Sequence, residues 1–140
     1  MAITHKYTLM CDDLRREDNG KLLLIGMYTG TMGLPQLPFV LPSLTFVMFM
    51  DSDRPGHWAM KFRIQHLETG KLIVEGAGGM MFQQPGLSIS PLKFGGIPIS
   101  AIGDYNFVVN LEDHTDPIIV DFKIVLNLPN QQPNQQPLRF

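Results

Sequence analysis

Apolar and polar side chains alternate with period two through most of the chain. In HWAMKFRIQHL, Trp58, Met60, Phe62 and Ile64 alternate with Ala59, Lys61, Arg63 and Gln65. That is the pattern of a strand with one buried and one wet face. PIIVDFKIVLNL repeats it, with Ile118, Val120, Phe122, Ile124 and Leu126 set against Asp121, Lys123 and Asn127. DYNFVVNLED repeats it again through Tyr105, Phe107, Val109 and Leu111. SLTFVMFMD and KLLLIGMYTG are apolar at both parities, which predicts central strands or strands under a loop. Asn19-Gly20 and Thr69-Gly70 are hairpin signals, because glycine accepts the positive φ that tight turns need. No helical stripe emerges. The pattern predicts strands at 3–11, 21–30, 43–51, 57–67, 71–82, 87–94, 103–112 and 117–128. Strands with one apolar face must bury it against a second sheet, so the expected fold is all-β, an antiparallel β-sandwich of about eight strands. A closed β-barrel is the alternative.

Two connections, GTMGLPQLPFVLP (30–42) and QQPGLSISPLKFGGIPIS (83–100), are rich in proline and in apolar residues. Proline cannot donate to a ladder, so these segments are expected at sheet edges or in crossings between sheets. Leu34, Leu37, Phe39 and Leu41, with Leu87, Ile89, Leu92, Phe94, Ile97 and Ile99, exceed what ordinary loops carry. They either cover the ends of the sandwich or form a patch for self-association or a partner. Phe39, Leu92 and Phe94 are the candidates taken from this set. The domain is expected to span 1–128. Residues 129–140 carry the repeat Asn130-Gln-Gln-Pro133, Asn134-Gln-Gln-Pro137 and are expected to form a mobile tail.

Length and charge narrow the function classes. A chain of 140 residues suits one domain with one core. A net charge of -2 gives no broad attraction to nucleic acid or anionic membrane. The single cysteine cannot form an internal disulfide, and the N-terminal stretch lacks a secretory pattern. No run approaches the roughly 20 apolar residues of a membrane-spanning helix. The expected compartment is the cytoplasm.

Several polar groups offer candidate chemistry. Asp12, Asp13, Glu17 and Asp18, then Asp51 and Asp53, then Asp113 and Asp116, could offer oxygen ligands to calcium from loops at one end of a sandwich. The same residues are common in turns, where Asp bonds its own backbone. Cys11 precedes two aspartates, which disfavour a thiolate. His5, His57, His66 and His114 have no metal-ligand spacing, and His66 shares parity with the inward face of its strand. EGAGGMMF has glycines but no closing lysine, so close sheet packing accounts for it better than a phosphate loop. Met48, Met50 and Met60 fall on core parities, while adjacent Met80 and Met81 must point to opposite faces. No catalytic set, metal or cofactor is predicted.

The run Cys11-Asp12-Asp13-Leu14-Arg15-Arg16-Glu17, then Gly20-Lys21, then Leu24-Ile25-Gly26-Met27-Tyr28, resembles the opening of an uncharacterised family of small bacterial and phage proteins. The close match covers about residues 7–30. The resemblance implies a cytoplasmic β-sandwich with no assigned activity, and it draws attention to Asp12, Arg15 and Glu17. A hairpin accounts for the motif without chemistry. Asn19-Gly20 turns the chain, Gly26 admits a close neighbour, and Arg15 pairs with Glu17 on one face. The expected function is non-enzymatic: binding of a protein partner or of a second copy, without nucleic acid or membrane. The alternative is a calcium-dependent binding domain centred on Asp51 and Asp53.

Overall fold

The computed structural model describes residues 3–127, and the tail expected at 129–140 lies outside them. Nine strands follow in chain order: β1 (Ile3–Arg16), β2 (Leu22–Tyr28), β3 (Thr31–Leu34), β4 (Phe39–Ser52), β5 (Gly56–His66), β6 (Leu72–Phe82), β7 (Gly86–Ile99), β8 (Gly103–Leu111) and β9 (Ile118–Leu126). They form two sheets, β2-β1-β4-β7 and β3-β9-β8-β5-β6. The fold is therefore an all-β sandwich, curled on one side where β6 approaches β7. No helix among the described residues is long and apolar enough to cross a membrane.

All eight expected strands appear, five of them within two residues of their expected bounds; those expected at 3–11, 43–51 and 87–94 are longer, at Ile3–Arg16, Phe39–Ser52 and Gly86–Ile99. The ninth, β3, lies inside the first proline-rich connection and pairs parallel with β9 from Thr31↔Lys123 to Leu34↔Leu126. Its partner is about ninety residues away, so no local turn signal announces it. Residues 35–38 then cross to the other sheet, with a cis peptide at Leu37-Pro38. The second connection is mostly β7. This strand forms the edge of the four-stranded sheet, where Pro91 and Pro98 are tolerated because only one flank is paired. Most of both segments is thus edge strand or crossing, while Phe39–Pro42 opens β4, the strand between β1 and β7.

The core lies between the sheets. Phe46 of β4 and Phe107 of β8 stack across it with centroids 3.9 Å apart and planes 9° apart. Phe94 and Phe122 pack around Phe46, each with its centroid 6.1 Å away. Tyr105, near the start of β8, donates its hydroxyl to the Ala101 carbonyl at 2.5 Å and ties down the crossing from β7. Trp58, buried in β5, meets Phe82 edge-on at 5.6 Å. Met48, Met50 and Met60 are core, and Met80 is buried while Met81 is exposed.

The glycines of β6 answer to packing. A Cβ on Gly76 would stand 2.7 Å from the Phe62 ring, and one on Gly79 would stand 2.3 Å from His57 Nε2. Each glycine makes room for a ring on β5, the neighbouring strand.

Candidate functional site

The opening motif forms the β1–β2 hairpin. Met10↔Tyr28 and Leu14↔Leu24 lie in one antiparallel register. The Asp12 carboxylate lies over Gly26, where an ideal Cβ would come within 2.3 Å of Oδ2. Gly26 has φ +66. Tyr28 donates its hydroxyl to Asp12 Oδ1 at 2.5 Å. Burial and the Asp12 acceptor hold the Tyr28 phenol above its ordinary range, so it stays a donor. Asp12, Gly26 and Tyr28 thus lock the hairpin. Asp13 contacts Lys93 of β7 and Arg15, each at 3.1 Å. The arginine's partner is Asp13 and not Glu17. Residues 13 and 15 share a face of β1, whereas Glu17 lies past its end, where its backbone closes the turn with Lys21 and Gly20. Arg16 donates to the Gly20 carbonyl at 3.3 Å.

The remaining polar candidates have structural employment. Cys11 is fully buried and donates to the Asp13 carbonyl. Burial, together with the charges of Asp12 and Asp13, pushes its thiol up, against weaker pulls from that hydrogen bond and Lys93. His66 contacts Thr69 Oγ1 through Nδ1 at 2.8 Å and the Ile102 carbonyl through Nε2 at 2.9 Å. The carbonyl needs a donor, so Nε2 carries the proton. His114 donates to the Ile3 carbonyl at 2.7 Å and joins the β8–β9 turn to the start of β1. Ile3 pairs with Ser52, so the turns holding Asp53 and Asp113 do lie at one end. Yet no three His, Cys, Asp or Glu side chains among the described residues are grouped to hold a metal ion. Asp51 is half-buried opposite Leu87, Asp53 lies 4.0 Å from Arg54, and Asp113 holds a turn at φ 63.

Phe39, Leu92 and Phe94 are half-buried against the main core. Leu34, Leu41, Ile97 and Ile99 are buried outright. Most of the apolar connections therefore complete the sandwich, while Leu87 of the second connection and Val40 of the first stand exposed. Alternation along β1 and β4 sends Met10, Phe46 and Met48 inward, and Leu9, Cys11, Val47 and Phe49 outward. Cys11, Leu14 and Val47 form a second apolar cluster, joined by Leu9, Leu22, Leu24, Phe49 and Ile89. Tyr7 stacks on Phe49 at 4.4 Å. Register continues this outward face onto Leu23, Ile25 and Met27 of β2, and onto Leu87, Ile89 and Pro91 of β7. Tyr7 is 50% exposed, Met27 55% and Leu87 65%. Asp13, Arg15 and Lys93 bound the face at one end, and Asp51 bounds it at the other.

The sequence pointed to this face only at its β7 margin, through Leu87 and Ile89. Its signal was the double-parity apolar character of KLLLIGMYTG and SLTFVMFMD. For β4 that character means a central strand, as expected. For β2 it does not, because β2 is an edge strand whose outward leucine, isoleucine and methionine stand in solvent. The five-stranded sheet is the contrast. Its outer face carries Lys61, Arg63, Glu75, Asn110, Asp121 and Lys123. A shallow groove of about 400 Å³ lies there between Lys61, Arg63, Glu75 and Asn110, over Gly76.

One pH dependence follows from the geometry. His5 is half-buried with Nε2 2.7 Å from Thr8 Oγ1, and burial lowers its pKa. A depressed histidine pKa favours the neutral ring in the fold. The stability it contributes is complete above about pH 6.5 and is lost as pH falls through the folded value. Asp13 is held low by Lys93, the Leu14 amide and Arg15, so its contribution is lost only under more acidic conditions, below its ordinary value of 3.8. Urea midpoints are expected to fall between pH 7.5 and 5.5, and the fall should shrink in His5→Gln. Equal midpoints at the two pH values would refute this assignment.

Comparison with known proteins adds fold and family. No curated protein matches the chain. Among solved structures, a β-glucosidase from Erythrobacter marinus superposes with a TM-score of 0.52 at 10% identity, covering 89% of this chain and 15% of that one. The chain thus spans about 15% of that enzyme's length, and the likeness is one of fold alone. The model of a family of unknown function, DUF6941, matches residues 6–119, from the bulge of β1 to the start of β9. The match extends far beyond the opening hairpin and takes in both sheets, so the chain belongs to the DUF6941 family.

Proposed function

We propose that this protein is a non-enzymatic binding module whose working surface is the outward face of its four-stranded sheet, and that it takes a partner presenting a flat apolar protein surface. The observation that carries this is the set of exposed apolar side chains on that face, Leu23, Ile25 and Met27 of β2, Tyr7 of β1 and Leu87 of β7, around a centre where Cys11 and Val47 are already covered. Exposed apolar side chains gathered on one face mark interaction sites. An apolar centre with charged groups at its ends is also the anatomy of protein interfaces.

Three of the four histidines and the only thiol are engaged in contacts that hold the fold, which favours binding over catalysis. A single buried thiol suits a reducing compartment, and the cytoplasm is assigned on that ground. A hydrophobic dye tests the surface in dilute solution. The native protein should enhance dye fluorescence, and Tyr7→Lys should remove most of the enhancement. Ile119→Lys is the control, since Ile119 is 53% exposed on the opposite, polar face. Native protein that leaves the dye dark, or equal loss in both variants, would refute the assignment.

A further inference from the structure

We infer that β6 is a docking edge, and that an extended segment of another protein adds to it as a further strand of the sheet β3-β9-β8-β5-β6. The site is distinct from the outward apolar face of the other sheet. Each sheet ends in two edge strands, β2 and β7 in one and β3 and β6 in the other. An edge presents unpaired amides and carbonyls, and proteins keep such edges from pairing with short strands, prolines, lysines or irregular backbone. Three of these edges carry such a device. β3 has four residues, β7 contains Pro91, Lys93 and Pro98, and β2 holds Gly26 at φ +66. β6 carries none. It runs for 11 residues without proline or lysine, and its register with β5 is unbroken from Gly56↔Phe82 to Ile64↔Val74. Its one charge, Glu75, lies across the ladder from Arg63. Among the described residues only β5 pairs with it. Gly78 and Gly79 are exposed, and the exposure of a glycine is that of its backbone.

The two sides of this edge set the chemistry of the occupant. On the inward side the Phe62 ring reaches over Gly76, which has no room for a Cβ, and meets Phe94 of β7 edge-on at 5.5 Å. Both rings stay half-buried, as do Val74 and Leu92, so the seam between β6 and β7 is incompletely closed. Apolar side chains on every second residue of an added strand would cover it. On the outward side Lys61 stands between Ala77 and Asn110, and it lines the shallow groove with Arg63 and Glu75. Among the described residues no carboxylate lies within ion-pair distance of Lys61. An acidic residue on the outward side of the added strand would meet it across Ala77. The occupant is therefore an extended segment that alternates apolar residues with polar ones that include an acid. A second copy paired along the full length of β6 is centred on Ala77, the middle of the strand. It sets Gly76 opposite Gly78, so no side chain arrives over the rings.

The probe is a capped peptide of about ten residues that alternates valine with threonine and glutamate, followed by NMR-detected hydrogen exchange and by titration. It should slow exchange at alternate β6 amides, those that point away from β5. N-methylating the peptide amides of one parity should weaken binding about tenfold or more, and those of the other parity should leave it within about twofold, because one side of a strand faces its neighbour. Lys61→Glu should weaken the glutamate peptide about threefold and leave an all-threonine version unchanged. Tyr7→Lys, on the other sheet, should leave binding unchanged. A peptide that protects no β6 amide, equal losses from the two methylation patterns, or binding lost in Tyr7→Lys overturns the inference. A native dimer in sedimentation velocity whose β6 amides are protected without peptide overturns it in favour of a second copy.

Discussion

Phe107→Ala is expected to lower the unfolding free energy by about 3–5 kcal/mol. Phe107 has no exposed surface and stacks on Phe46 across the sandwich, with the Phe94 ring edge-on at 6.1 Å. Removing the ring takes away the transfer free energy of a buried phenyl and leaves a cavity walled by two β-sheets. Ladder hydrogen bonds stiffen each sheet, so the cavity collapses only in part. For a chain of this length the melting temperature should fall by roughly 10–15 °C. Phe107→Leu, which refills much of the volume, should recover most of the loss. Chemical denaturation of the two variants measures both numbers. A loss in Phe107→Ala of less than about 1 kcal/mol would mean that the stack is not the keystone proposed here.

Gly26→Ala is expected to cost about 2.5–5 kcal/mol, although the added side chain is a single methyl group. Two terms contribute. Gly26 has φ +66, where an L-residue costs about 1–2 kcal/mol. The new Cβ also falls 2.3 Å from Asp12 Oδ2, which forces the carboxylate away from the Tyr28 hydroxyl and loses a charge-assisted hydrogen bond worth about 1.5–3 kcal/mol. Gly20 separates the terms. It has φ +86 with nothing within 4 Å, so Gly20→Ala should show the conformational term alone. In an Asp12→Ala background the cost of Gly26→Ala should fall to the same level, a non-additivity that a double-mutant cycle reads directly. Equal costs for Gly20→Ala and Gly26→Ala in the native background would remove the clash from the account.

The hairpin shows how far local sequence can carry an argument. Asn19-Gly20 marks the turn, and Gly26 signals a close neighbour. The neighbour itself is Asp12, fourteen residues earlier and directly across the ladder, and register supplies that identity. Arg15 is similar. Its charge calls for a carboxylate, but strand geometry selects Asp13, and Lys93 arrives from β7 as a second cation. The acids considered for calcium binding are placed in the same way. The turns carrying Asp53 and Asp113 share one end of the molecule, where Asp53 lies 4.0 Å from Arg54 and the Asp113 backbone adopts φ 63. Phe39, Leu92 and Phe94 illustrate a different limit. Apolar residues among prolines read alike whether they cover a core or face water, and only the position of β7 across from β4 places them inside.

The alternation of residues along each strand determined the all-β class, the bounds of most strands, the core methionines and the edge or crossing role of the proline-rich segments. These follow from period two, from turn chemistry and from the missing amide of proline, all of which act over a few residues. Only the tertiary structure decided that Thr31–Leu34 joins β9, that Phe46 meets Phe107, and that β2 lies at an edge with its outward residues uncovered. An apolar side chain carries the same transfer free energy wherever it stands in the chain. Whether that free energy holds the fold together or remains available to a partner depends on which sheet faces which, and strand order sets that through contacts far apart in sequence.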